Sequence, residues 1–210
     1  MTAPLSFIHA FERGSDPAAA PVLLLHGTGG DENDLLPLGR AIAPRSALLS
    51  PRAKVLENGM PRFFRRLREG VFDEDDVRLR AGELADFVAE AQRAYQMSAP
   101  VAVGFSNGAN IAAALLLLRP QALRAAILIR AMTPLQDPPP ADLRGKRVLI
   151  LSGAMDPIAP VDNAGRLART LRDAGADVEH ETVPASHGLT GEDLRLSVAF
   201  FDQLHSQKSV

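Results

Sequence analysis

Gly104-Phe105-Ser106-Asn107-Gly108 sets a serine between two glycines, directly after the apolar run 101–105 and directly before the alanine- and leucine-rich stretch 107–118. A hydroxyl held on a sharp strand-to-helix turn is the arrangement that nucleophilic acyl chemistry needs. The serine sits in strained backbone, and glycines flank it because the chain passes close to itself on both sides. A helix beginning at Asn107 directs its free N–H groups and positive dipole end toward that hydroxyl. A serine is a poor nucleophile until a base takes its proton, and the base needs an acceptor to orient it. On an open α/β sheet the expected chain order is serine, acid, histidine. Three histidines follow Ser106. His180 stands among alternating acids in a strand pattern and His205 in the tail, whereas His187 lies in a loop after the last strand, with Gly188 behind it. His187 is therefore the expected base. Asp156, in the loop after the strand ending at Leu151, is the expected acid. Asp162 reads as a helix cap, and Asp137 belongs to a proline-rich loop. Two N–H donors should hold the developing oxyanion. One is the amide of Asn107 and the other comes from the turn His26-Gly27-Thr28-Gly29-Gly30, where Thr28 is best placed. His26 itself reads as a structural residue at a strand end.

These groups can meet only if strand ends bring them to one edge. Short β-type runs at 5–11, 21–25, 47–50, 101–105, 125–129, 148–151 and 177–183 alternate with helical patterns at 34–43, 73–91, 107–118, 161–174 and 191–205. Several of the strand runs, such as Val22-Leu23-Leu24-Leu25 and Ala125-Ala126-Ile127-Leu128-Ile129, are continuously apolar. That is what a strand covered on both faces requires. The alternation predicts an α/β fold: an open, mostly parallel sheet of about seven strands with helices on both faces, formed by residues 1–210 as one domain. In such a sheet chemistry collects at the carboxyl ends of the strands. Residues 51–70, rich in Arg, Gly and Pro, read as a loop. The acids Asp73, Glu74, Asp75 and Asp76 read as a helix start, where negative charge suits the dipole, and not as a metal site.

With 210 residues, 46% of them hydrophobic, the chain has enough apolar content for one substantial core. A net charge of −2 gives no basic footprint for nucleic acid. The absence of cysteine excludes a thiolate zinc site, a disulfide framework and a cysteine nucleophile together. The N-terminus does not read as a signal peptide, and no apolar run is long enough for a membrane span, so a cytoplasmic location is expected. The Gly27-x-Gly29 turn meets Glu32 where a dinucleotide fingerprint needs glycine, and no ligand set has metal spacing. Neither cofactor nor metal is expected.

Four blocks in order, "LLLHGTGGDENDL", "VGFSNGANIA", "SGAMDPIAP" and "ASHGL", resemble the phospholipase/carboxylesterase family of the α/β-hydrolase fold over nearly the whole chain. The stretch "NGMPRFFRRLREGVFDEDDV" is similar to the bacterial small serine esterases associated with hydroquinone and aromatic-compound metabolism. The resemblance implies a hydrolase with little or no lid and with Ser106, Asp156 and His187 as its triad. Its substrate would be a small-molecule ester, short-chain or aromatic, and a homodimer is allowed. Relatives of the acyl-protein thioesterase branch usually carry Gln at the position of Asn107, a departure that speaks against depalmitoylation; Arg130-Ala131-Met132 also replaces a small-residue segment of many members. The alternatives are a lysophospholipase or acyl-thioesterase using the same triad, and a non-catalytic binding protein on the same fold. Expected pocket residues are Phe63, Phe64 and Met132 as apolar wall, with Arg65, Arg66 and Arg130 as anchors for a polar or anionic substrate.

Overall fold

Every residue of β2 (Val22–Leu25) and of β9 (Ala125–Ile129) is buried, as is all but the first residue of β10 (Arg147–Gly153) and all but the last of β8 (Val101–Phe105). Strands without a polar face must be covered on both sides. The computed structural model, which describes residues 5–206, builds them into one seven-stranded sheet. The remaining members are β1 (His9–Glu12), β3 (Leu48–Pro51) and β11 (Asp177–Val183). The order is β1-β3-β2-β8-β9-β10-β11, with all neighbours parallel except β1 against β3. β8 is thus the central strand, with its last residue, Phe105, paired to Ile129.

Among the described residues five α-helices cover the two faces: α1 (Leu36–Ile42), α2 (Glu74–Tyr95), α3 (Asn107–Leu118), α4 (Val161–Asp173) and α5 (Gly191–Ser206). α1 and α5 pack with Leu24, Val103 and Ile127 on one face. α2, α3 and α4 pack with Leu23, Ala102 and Leu128 on the other. Eleven of the twelve residues of α3 are buried, because α2 lies over the side turned away from the sheet. A helix apolar all round belongs in that layer. No helix of the described residues is long and apolar enough to cross a membrane.

The structure departs from sequence expectation in several places. The first strand begins at His9, later than the expected 5–11, because pairing to β3 on the sheet edge sets its register from His9 opposite Pro51. α1 starts at Leu36, later than the expected 34, because residues 32–35 are spent on a turn, at whose entry Asp31 accepts from Asn33 N at 2.7 Å. Asp162 lies in the first turn of α4, whose cap position is Pro160. The expected loop 51–70 holds one hairpin, β4 (Val55–Glu57) with β5 (Met60–Arg62), and the first strand of a second, β6 (Arg66–Arg68) with β7 (Val71–Phe72). Asn58 and Gly59, both at positive φ, form the two-residue turn that closes the first, a standard Asn-Gly hairpin signal. Asp73 caps α2 by accepting from Asp76 N at 3.2 Å. Asp76 is buried, accepting from Arg65 N and Arg80 Nε, so the acidic helix start is only partly a solvated face.

Candidate active site

The turn after β8 is fixed by sterics. A Cβ on Gly104 would stand 2.5 Å from Gly108 O, and one on Gly108 would stand 1.9 Å from Leu25 O, so neither position can carry a side chain. Between them Ser106 holds φ 53° and ψ −115°, a conformation that costs a non-glycine residue of order 1–3 kcal/mol. The surroundings over-determine it: Ser106 N donates to Ile129 O at 2.8 Å, and Ser106 O accepts from Asn110 N at 3.0 Å.

From this turn a continuous set of hydrogen bonds runs inward. Ser106 Oγ lies 2.9 Å from His187 Nε2, and His187 Nδ1 lies 2.8 Å from Asp156 Oδ2. The other oxygen of Asp156 accepts from Ile158 N at 2.8 Å and Ala159 N at 3.0 Å. Burial alone would raise the Asp156 pKa. The Ala159 amide, the His187 bond and the Ile158 amide outweigh it and hold the carboxyl below its ordinary value. The carboxylate therefore draws the imidazole proton to Nδ1 and leaves Nε2 as an acceptor for the serine hydroxyl. Three separate strand ends deliver these groups: β8, the loop after β10, and the loop after β11.

Thr28 and Asn107, the expected oxyanion donors, both line the cavity beside Ser106. Neither backbone N–H makes a hydrogen bond among the described residues. Three successive residues of β5 and its exit brace them. Pro61 O accepts from Gly29 N at 2.9 Å, Arg62 Nη1 donates to Thr28 Oγ1 at 2.8 Å, and Phe63 N donates to Asn107 Oδ1 at 2.7 Å. His26 holds the other side of the same turn. Its Nε2 accepts from Ala53 N at 3.1 Å, so Nδ1 carries the proton that goes to Gly27 O at 2.6 Å. Both ring nitrogens of His26 are thus engaged with backbone groups.

A cavity of about 390 Å³ opens on Ser106. Its wall includes Met132, together with Phe72, Phe105 and Ile158. Other pocket expectations need correction. Phe63 and Phe64 are buried away from the lining, against His26 and Phe72 respectively. Arg65 is exposed and pairs with Asp73 at 2.9 Å. Arg130 touches the cavity but is 1% exposed, and its guanidinium is not free to anchor anything. Nε donates to Ser186 O, Nη1 to Leu151 O and Asp193 Oδ1, and Nη2 to Gly188 O and Asp193 Oδ2, so all five donors are used. Arg62 was not among the expected residues, yet it is a second buried arginine of the pocket, 4% exposed, and Arg66 stands near it in the wall. The alternation of β5 points Arg62 inward; only the register of the 55–62 hairpin reveals which arginine of the Arg-rich stretch does so.

Comparison with known proteins agrees with this architecture. The family model described as phospholipase/carboxylesterase matches residues 8–205. The Bacillus subtilis protein MhqD is 47% identical over 184 residues, covering 87% of this chain and 91% of that protein. The crystal structure of the Bacillus cereus carboxylesterase is similar at a TM-score of 0.92 and 42% identity, covering 94% of each chain. A carboxylesterase from Mesorhizobium loti is similar at a TM-score of 0.86 and 30% identity, covering 95% of this chain and 98% of that one. The chain belongs to the phospholipase/carboxylesterase family and is a serine hydrolase with the α/β-hydrolase fold.

Proposed function

We propose that the protein is a carboxylesterase acting on short-chain or small aromatic esters through an acyl-enzyme on Ser106. The observation that carries this reading is the unbroken set of bonds from Ser106 Oγ through His187 to Asp156, at 2.9 and 2.8 Å. Ser106 Oγ attacks the ester carbonyl while His187 Nε2 takes its proton. The Thr28 and Asn107 amides receive the oxyanion, a kind of donor whose loss typically costs about 2.7–4 kcal/mol of barrier. His187 then gives the proton to the departing alcohol oxygen, and Asp156 stabilises the imidazolium between the two transfers. Water, deprotonated by the same Nε2, releases the acyl group and returns Ser106. A cavity of about 390 Å³ lies toward the small end of ligand pockets, which favours small esters over long acyl chains. A cytoplasmic location is part of the proposal, and cell fractionation tests it.

Ser106→Ala should lower kcat on 4-nitrophenyl acetate by roughly 10⁴–10⁶-fold while the protein stays folded. A fluorophosphonate probe should label the wild type at Ser106 and leave the variant unlabelled. An esterase rate retained by Ser106→Ala would overturn the assignment. Faster turnover of a long-chain ester or an acyl-CoA than of the acetate would favour the lysophospholipase or thioesterase reading.

A further inference from the structure

The wall of the Ser106 cavity carries hydrogen-bond donors that nothing in the described chain accepts. Arg62 is the foremost. Its Nε donates to Phe64 O at 3.3 Å and faces Glu57 Oε2 at 3.2 Å, and one Nη1 hydrogen goes to Thr28 Oγ1. A guanidinium has five N–H donors, so three of them have no partner among the described residues. Asn107 and Asn110 repeat the pattern. Asn107 Oδ1 accepts from Phe63 N and Asn110 Oδ1 accepts from Met132 N, both at 2.7 Å. A backbone N–H can only donate, so these bonds fix which end of each amide faces the backbone. Both NH₂ groups are left without a partner among the described residues, that of Asn107 fully buried.

The charges lean the same way. Glu57 is shared between Arg62 and Arg66, whose Nε lies 2.8 Å from Glu57 Oε1, so two guanidiniums of the wall draw on one carboxylate. Burial holds the Arg62 guanidinium below the ordinary arginine value, with Glu57 opposing the effect. Arg130 is neutralised by Asp193. The acid in the lining, Glu69, is exposed on the β6–β7 turn. It lies toward Met132 and Ile158, with which it also borders an adjoining depression, whereas Arg62 lies at Thr28.

We propose that Arg62, with Arg66 and Asn110, forms a carboxylate subsite beside Ser106, so that the preferred substrates are esters bearing a second, anionic carboxylate group. The inference rests on the serine-hydrolase reading given above. The outer N–H groups of a guanidinium match the two oxygens of a carboxylate, and a carboxylate, which only accepts, suits a wall that mainly donates. A neutral ester of the same size fills the volume, displaces water from the Arg62 and Asn110 donors and gives them no anionic acceptor in return, which is the costly outcome for such groups.

The test uses two matched pairs. One is 4-nitrophenyl hydrogen succinate against its neutral methyl ester, with the carboxylate on the acyl side. The other is 4-acetoxybenzoate against its methyl ester, with the carboxylate on the alcohol side. In the wild type, the charged member of at least one pair should exceed its partner in kcat/KM by about tenfold or more, the size expected of a charge-assisted hydrogen bond. The responding pair assigns the subsite to one side of the scissile bond. Arg62→Gln should bring that ratio below about twofold. Because Arg62 also holds Thr28, the variant slows every ester, and the ratio within a pair is the quantity to read. If Arg62→Gln does not fold, Arg66→Gln should still lower the ratio. Calorimetry on Ser106→Ala with the same four esters reads the subsite without turnover, and the charged ester of the responding pair should bind more tightly. Parity within both pairs, in rate and in binding, overturns the subsite, as does a preference that survives both arginine variants. Failure of the parent reading looks different: Ser106 would escape the fluorophosphonate while the calorimetric preference remained.

Discussion

At the scale of single residues, the site works through which atoms are already taken. Asp156 shows this best, because its two oxygens have different partners. One faces two backbone amides, from Ile158 and Ala159, and the other faces His187 Nδ1. In Asp156→Asn the amide oxygen must turn to the two backbone donors, so the NH₂ is forced toward His187. The imidazole then has to accept at Nδ1 and carry its proton on Nε2, where Ser106 needs an acceptor. The variant should stay folded and lose roughly 10⁴-fold in kcat with little change in KM, as steady-state kinetics and circular dichroism would show. Ser106, Asp156 and His187 could be picked out of the sequence because few residue types do this chemistry and each stands just after a strand pattern. Arg62 could not. It is one of four arginines between Pro61 and Glu69, and composition does not say which of them points inward.

At the scale of elements, the histidine loop is held by a group that its own residues do not supply. Thr190 and Asp193 form a capping box at the start of α5: Asp193 N donates to Thr190 Oγ1, and Asp193 Oδ2 accepts from Thr190 N and its hydroxyl. Arg130, at φ 57° after β9, closes on Asp193 and donates to the carbonyls on either side of His187, Ser186 and Gly188. An apolar strand end that looked like a substrate anchor is a clamp on the base. Arg130→Met leaves Asp193 buried without its counter-charge and should lower unfolding free energy by about 3–5 kcal/mol, measured by urea denaturation. Adding Asp193→Leu should recover part of that loss, since the uncompensated charge is then gone. The inner parallel strands were legible because burial on both faces writes an unbroken apolar run; 101–105 and 125–129 are strands at those bounds. The two hairpins were not, because β4 to β7 are two or three residues long, partly exposed and rich in arginine. The pairing of the first owes more to the Asn58-Gly59 turn and the contacts to Gly29 and Thr28 than to hydrophobic period.

For the molecule as a whole, two histidines away from the serine tie stability to pH. His26 is 1% exposed, and burial pushes its pKa down; the Gly27 carbonyl and the acids Asp34, Asp31 and Glu32 oppose this without reversing it. His180, bonded through Nε2 to Ser152 Oγ at 2.8 Å, is likewise lowered by burial and by Arg172, against Glu181. Both folded values therefore lie below the unfolded histidine value of about 6.5. As pH falls, the unfolded chain takes up these protons first, so their contribution is complete above about pH 6.5 and is lost as pH drops toward the folded values. Each histidine can tilt unfolding free energy by up to about 1.4 kcal/mol per pH unit, and the pair by up to about 2.7. Asp156, lowered as well, adds a loss at more acidic pH, below the ordinary aspartate value of about 3.9. Urea midpoints should be level from pH 8 to 7 and fall steadily from pH 6.5 to 5. In His26→Gln, whose amide can still donate to Gly27 O and accept from Ala53 N, stability at pH 7 should drop while the slope below pH 6.5 shrinks toward that of one histidine. An unchanged slope would show that the proton is taken up elsewhere. Because His26 braces the turn that carries Thr28, the same protonation that loosens the fold also loosens one proposed oxyanion donor, so esterase activity in this variant should decline less steeply with acidity than in the wild type.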